Sequence, residues 1–341
     1  MKHALLVAIL GVLILAGCGE KKEGSGGSTG KHSPESGLAI VFDKGGVGDK
    51  SFNDSADRGR AKAEQELGMV TKTVSSRSDI DYKPNLEDLA RLGFKLIIAV
   101  GGGMQKAVEE VAPKHPDVYI GIIDGHSNGL SNVIGVRFKE EEGSFLAGVL
   151  AGSMTKSNVL GFVGGMKIPL IEKFECGFAA GVKAVNPSAR VVAKYTEDWD
   201  NIGKGKEAAL ACRADGADIV YHAAGKCGLG VFDAAQEKGF YAIGVDSDQD
   251  GLKPGTILTS MIKGVDEQVF RLAKMLKNGE LKGGDIEAGL AEGGVGLSEM
   301  KYTKDKIGPT VLAKVDEFKQ RIISGELKVP KTRAELAAFQ P

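Results

Sequence analysis

The chain has 341 residues, 42% of them hydrophobic, with 44 Lys and Arg set against 45 Asp and Glu. That length fits two domains of ordinary size, and the apolar share is enough for a core, which excludes a disordered chain. A net charge of −1 offers no basic stripe for nucleic acid, and 49 Gly without a three-residue period exclude collagen and point to tight turns instead.

In chain order, Lys2 and His3 precede an apolar run over residues 4–16 that ends Leu15-Ala16-Gly17-Cys18. The run is shorter than the roughly 20 residues a spanning helix needs and fits a secretory signal. Its end resembles the bacterial lipobox, in which the Cys is acylated. The expectation is a signal peptide over 1–17, a lipidated Cys18 and a flexible tether over 18–37, rich in Gly, Ser, Lys and Glu. Such a tether reaches roughly 25 Å, at about 5–6 Å times the root of its length.

From residue 38 short apolar runs alternate with amphipathic stretches. Strands are expected at 38–42, 70–74, 95–100, 117–123 and 133–138, with helices at 52–67, 84–92, after the glycines at 101–103, and at 140–154. The pattern restarts with strands at 159–163, 190–195, 218–221, 241–245 and 255–261. Helices are expected at 171–185, 204–214, 229–238, 265–276 and, last and longest, 303–324. Repeated βα units imply parallel sheets covered on both faces. The expected lobes are 38–155 and 156–255, with 256–341 supplying a returning strand and helices that complete both.

In such folds ligands sit beyond the carboxyl ends of the strands. There the sequence places Asp43, then Phe52 and Asn53 at a helix start, the glycines at 101–103, Asp124, Gly225, Asp246 and Lys263. The Gly-rich stretch after Asp43 is no phosphate loop, because Asp49 stands where the motif needs Gly before Lys. Phe52 is either core or a stacking surface. Trp199, in a polar loop, is either a hydrophobic plug or a stacking surface. No catalytic motif and no metal-ligand spacing is present, so no enzyme, cofactor or metal is expected. Beyond Cys18, three cysteines remain (Cys176, Cys212 and Cys227), either as one disulfide with a free thiol or as three buried thiols.

The lipobox, the run Asp49-Lys50-Ser51-Phe52-Asn53, the segment Phe174-Glu175-Cys176-Gly177-Phe178, residues 223–230, the run Gly244-Val245-Asp246-Ser247-Asp248-Gln249, and Lys263 together resemble the basic membrane protein family of bacterial lipoproteins. The resemblance covers about residues 38–325. It implies a type I periplasmic binding protein-like α/β fold of two hinged lobes, serving an ABC transporter permease as a monomeric, membrane-anchored receptor that faces the periplasm or the exterior. It also implies a purine nucleoside ligand (inosine, guanosine or adenosine). Asp43 and Asp124 would read the base, Phe52 would stack on it and Asn53 would add a polar contact. Asp246 would hold the ribose, with Gly225 and Lys263 nearby, and Phe174 and Trp199 are both candidates for the second stacking face. Lys226 and Cys227, where the family often has Thr and no thiol, are expected at the pocket edge. Other readings keep the fold with a sugar or another small polar ligand, or make the chain a surface adhesin or antigen.

Overall fold

A computed structural model describes residues 37–340. The expected signal peptide, Cys18 and nearly all of the tether lie outside the described residues.

Two six-stranded sheets form among the described residues. In the first, β1 (Leu38–Phe42), β2 (Thr71–Ser75), β3 (Leu96–Val100), β4 (Tyr119–Ile123), β5 (Val133–Phe138) and β11 (Gly284–Ala288) run in the order β11-β5-β4-β3-β1-β2, all parallel. In the second, β6 (Val159–Gly164), β7 (Arg190–Tyr195), β8 (Ile219–Ala223), β9 (Tyr241–Asp246), β10 (Ile257–Lys263) and β12 (Val295–Leu297) run in the order β12-β10-β9-β8-β6-β7, with β12 antiparallel. Every residue of β1 is buried. Ala39 and Val41 pack into one apolar cluster while Leu38, Ile40 and Phe42 pack into another. A continuous apolar run is what a strand covered by helices on both faces requires.

The strand order changes direction between β1 and β3 in one sheet and between β6 and β8 in the other, and each reversal opens a crevice at the carboxyl ends. Helix α1 (Phe52–Leu67) follows β1, and α2 (Tyr82–Arg91) and α3 (Gln105–Val111) cover the same sheet. Helix α4 (Glu140–Met154), which the sequence places in the first lobe, packs against α5 (Pro169–Val185), β10 and β12. Its small residues let the α4 and α5 backbones touch: a Cβ on Gly148 would lie 2.1 Å from Phe178 O, and one on Gly181 2.0 Å from Phe145 O. Beyond them, α6 (Ile202–Ala214) and α7 (Gly228–Lys238) pair on the second sheet, while α8 (Val265–Asn278) returns to pack on α1. The chain thus passes between the lobes near Lys139, Gly264 and the 289–294 turn, and each of the first two passes is pinned to the third by a backbone bond, Lys139 N to Ala288 O and Gly264 N to Gly294 O.

Two differences from the sequence reading stand out, and one of the two cysteine readings is met. The final long helix is two helices, α9 (Lys304–Ile307) and α10 (Pro309–Ile323), because Gly308 takes φ +80° and Pro309 starts the second. Strands β11 and β12 are additional, as is α11 (Arg333–Ala338). Cys176, Cys212 and Cys227 are three buried free thiols.

Candidate functional site

A cavity of about 570 Å³ lies between the lobes, within the range typical of small-ligand sites. All nine ligand candidates from the sequence line it: Asp43, Phe52, Asn53 and Asp124 from the first lobe, and Phe174, Trp199, Gly225, Asp246 and Lys263 from the second. Lys226 lines it too, tied to Asp200 at 2.8 Å. Cys227, expected at the edge, instead turns away: its Sγ lies 3.4 Å from Asp198 O and it packs among the buried side chains under β8.

Asp43 follows β1 directly. Its Oδ1 accepts the Tyr82 hydroxyl and the Lys44 amide at 2.7 Å. Gly101, at φ +120°, leaves room for Oδ2, which a Cβ there would approach to 2.9 Å. The Tyr82 phenol is pushed far above its ordinary value by burial and by donating to this carboxylate, so it stays a donor. The sequence reading missed Tyr82, and no local signal marks it, since 39 residues and a whole βα unit separate it from Asp43.

Asn53 is fixed by its neighbour. Asp49 Oδ2 accepts both Asn53 N at 2.8 Å and Asn53 Nδ2 at 3.1 Å, while its Oδ1 accepts Ser51 N and Asp54 N. Asp49 therefore caps α1 and fixes the amide of Asn53, a cavity-lining residue whose buried Oδ1 has no protein partner. Burial raises the Asp49 carboxyl above the usual range.

Lys263 is the last residue of β10 and 2% exposed. Its Nζ lies 2.8 Å from both Asp124 oxygens and 3.0 Å from Glu140 Oε1. Burial alone would lower its pKa, but Asp124, Glu140 and Asp246 outweigh that and hold it charged. The same ammonium sits 5.1 Å from the Phe52 and Phe138 ring centres and 5.6 Å from that of Phe174, within cation–π range. Asp124, expected to read the base with Asp43, is paired with Lys263. Asp246 accepts from the Ser51 hydroxyl, and burial pushes its carboxyl up to about 6. Both strand-end carboxylates, Asp124 at φ +62° and Asp246 at φ +65°, hold left-handed backbone, a conformation unusual for these residues and found at functional sites.

The aromatic walls come from different elements. Phe52 opens α1, Phe174 lies on α5, and Trp199 follows β7. Trp199 is half-buried with its indole against Gly165, where a Cβ would lie 2.2 Å from it. Two histidines near strand ends lie elsewhere: His222 is buried against Gln249 and Phe232, and burial depresses it to about 4. His126 is exposed beside Asp285. The arrangement holds acceptors and flat apolar walls, suited to gripping a molecule that donates hydrogen bonds.

Comparison with known proteins agrees with that description. The family model described as "ABC transporter substrate-binding protein PnrA-like" matches residues 37–333. A CD4+ T-cell-stimulating antigen of Listeria innocua is 39% identical, with 96% of this chain and 97% of that protein covered. An ABC transporter nucleoside-binding protein of Lactococcus lactis is 34% identical over 95% of this chain and 97% of its own length. Among solved structures, a solute-binding protein of an ABC transporter system from Aeropyrum pernix superposes with a TM-score of 0.79 at 29% identity, covering 89% of this chain and 95% of that one.

Proposed function

The chain belongs to the PnrA-like family of ABC transporter substrate-binding proteins, whose role is binding and not catalysis, and from that premise we propose that it captures purine nucleosides outside the cytoplasm. It then delivers them to an ABC permease while held at the envelope by acylated Cys18. The observation that carries the reading is the meeting of Phe52 from the first lobe with Phe174 and Trp199 from the second around one cavity that Asp43 and Asp246 also line. A purine base offers a flat ring and a polar edge, and a ribose offers a diol. In this reading Asp43 Oδ2 and Asn53 Oδ1 accept from the base edge, and the base stacks against Phe52. Asp246 accepts the ribose hydroxyls beside Lys263. The nucleoside-binding relative supports the ligand class.

Titration calorimetry with inosine, guanosine and adenosine, against free base and ribose, tests this. Nucleosides should bind, and each half alone should bind far more weakly. Stacking is worth roughly 1–3 kcal/mol per base, so Phe52→Ala should weaken binding about tenfold. Binding of sugars alone would discard the nucleoside reading.

A further inference from the structure

The two sequence motifs at 49–53 and 244–249 meet across the lobes, and only part of that meeting faces the cavity. Ser51 is fully buried and does not line the cavity. Its hydroxyl donates to Asp246 Oδ2. Its carbonyl accepts from Ser247 Oγ at 2.9 Å, and that oxygen in turn accepts from Arg58 Nη1 at 3.0 Å. One residue earlier, Lys50 O accepts from Gln249 Nε2 at 2.9 Å, while Gln249 Oε1 takes Val245 N at 2.8 Å. Lys50, Ser51 and Arg58 belong to the first lobe; Asp246 ends β9 in the second, and Ser247 and Gln249 follow it. Asp246 is therefore shared between a seam and a cavity.

We propose that Ser51 is a positioning residue for ligand capture: without touching the ligand, it holds Asp246 in its binding pose and ties that pose to closure of the lobes. The proposal rests on the reading of Asp246 as a ligand-holding carboxylate. The bond from Ser51 spans two lobes, so it exists only when they meet. A ligand that favours the Asp246 pose must then favour closure, and closure must favour the ligand by the same factor. Removing the hydroxyl leaves one oxygen of a buried carboxylate without its donor, and it also weakens the seam. Besides Ser51, Asp246 faces Lys263 from β10, Asp124 from the end of β4 and Asp49 from the loop before α1. All three persist in a Ser51 variant, so a change in the titration of Asp246 reports on Ser51.

The test compares the parent protein with Ser51→Ala, Ser51→Thr and Ser247→Ala, with guanosine as the probe and circular dichroism melting to establish that each folds. Ser51→Ala should bind guanosine about tenfold more weakly, mainly through faster dissociation. The acid limb of its binding profile should move to higher pH, and small-angle scattering should show a larger radius of gyration without ligand. Ser51→Thr, which restores the hydroxyl, should recover affinity, and Ser247→Ala should shift in the same direction as Ser51→Ala by less. If Ser51→Ala does not fold, Ser247→Ala tests the seam through its bond to Ser51 O, and parental affinity and radius there would overturn the tie to closure. Parental affinity and an unmoved pH profile in Ser51→Ala would overturn the role. If the parent itself binds no purine nucleoside, the ligand reading fails separately. Scattering then decides, because an unchanged radius in ligand-free Ser51→Ala overturns the proposal and an enlarged one supports it.

Discussion

Lys263 is the residue on which the site turns. It is an ammonium buried against Asp124 and Glu140 with phenyl rings around it. Breaking a buried ion pair by removing one partner costs about 3–5 kcal/mol, because the other charge stays behind unpaired. Lys263→Met should therefore lower unfolding free energy by about that much in a denaturant titration. The loss should be larger at pH 8 than at pH 5, since Asp124, whose carboxyl burial already raises, can escape the penalty only by taking up a proton. An equal loss at both values would mean that the cluster is not the cause. Asp246 yields a separate prediction. Burial raises its carboxyl to about 6, so it is mostly ionised at pH 7 and mostly protonated at pH 5. Only the ionised form accepts two ligand hydroxyls. Nucleoside affinity should fall as pH drops through about 6, approaching tenfold per pH unit, as calorimetry at a series of pH values would show. A flat profile between pH 5 and 7 would remove Asp246 from the ligand.

At the scale of elements, the packing of α4 on α5 is set by glycines whose hydrogens touch the opposite backbone. A methyl on Gly181 has no flexible side chain to push aside, because its neighbour is Phe145 O at 2.0 Å. Overpacking of this kind costs about 1–3 kcal/mol, so Gly181→Ala should destabilise near the top of that range. Gly296→Ala in β12, where nothing lies within 4 Å, should be close to neutral. The contrast, read from melting curves, isolates helix contact from any general loss of glycine. The same elements explain what the sequence made legible. Strands such as β1 are unbroken apolar runs, and α4 carries its small residues openly. Strand β11 is Gly-Asp-Ile-Glu-Ala, an edge strand mostly left partly exposed, so its side chains carry no burial signature and its register comes from β5. The site shows the same division. Strand-end carboxylates and helix-start aromatics are local features and could be found one by one. The Tyr82 bond to Asp43 and the Lys263 pairing with Glu140 join residues far apart in sequence, and only the folded topology brings them together.

For the whole molecule, the consequence of three passes between lobes is that neither sheet is built from one continuous stretch of chain. β11 completes the first sheet after β10 has completed most of the second, and α8 closes back on α1. Lobes interleaved in this way should lose structure together, in one calorimetric transition. A ligand held from both sides should then stabilise that single transition by mass action, about 2.7 kcal/mol at 100 times its dissociation constant. With an unfolding entropy near 2.1 cal/mol/K per residue, a folded body of this size should show a rise in Tm of about 4 °C. The shape of the transition carries more information than its midpoint. If scanning calorimetry resolves two transitions and a purine nucleoside raises only one, the ligand is gripped by one lobe, and the cavity walls contributed by the other do not bear on binding. If one transition moves as a whole, the grip crosses the cleft, as Phe52 and Asp246 on opposite lobes require.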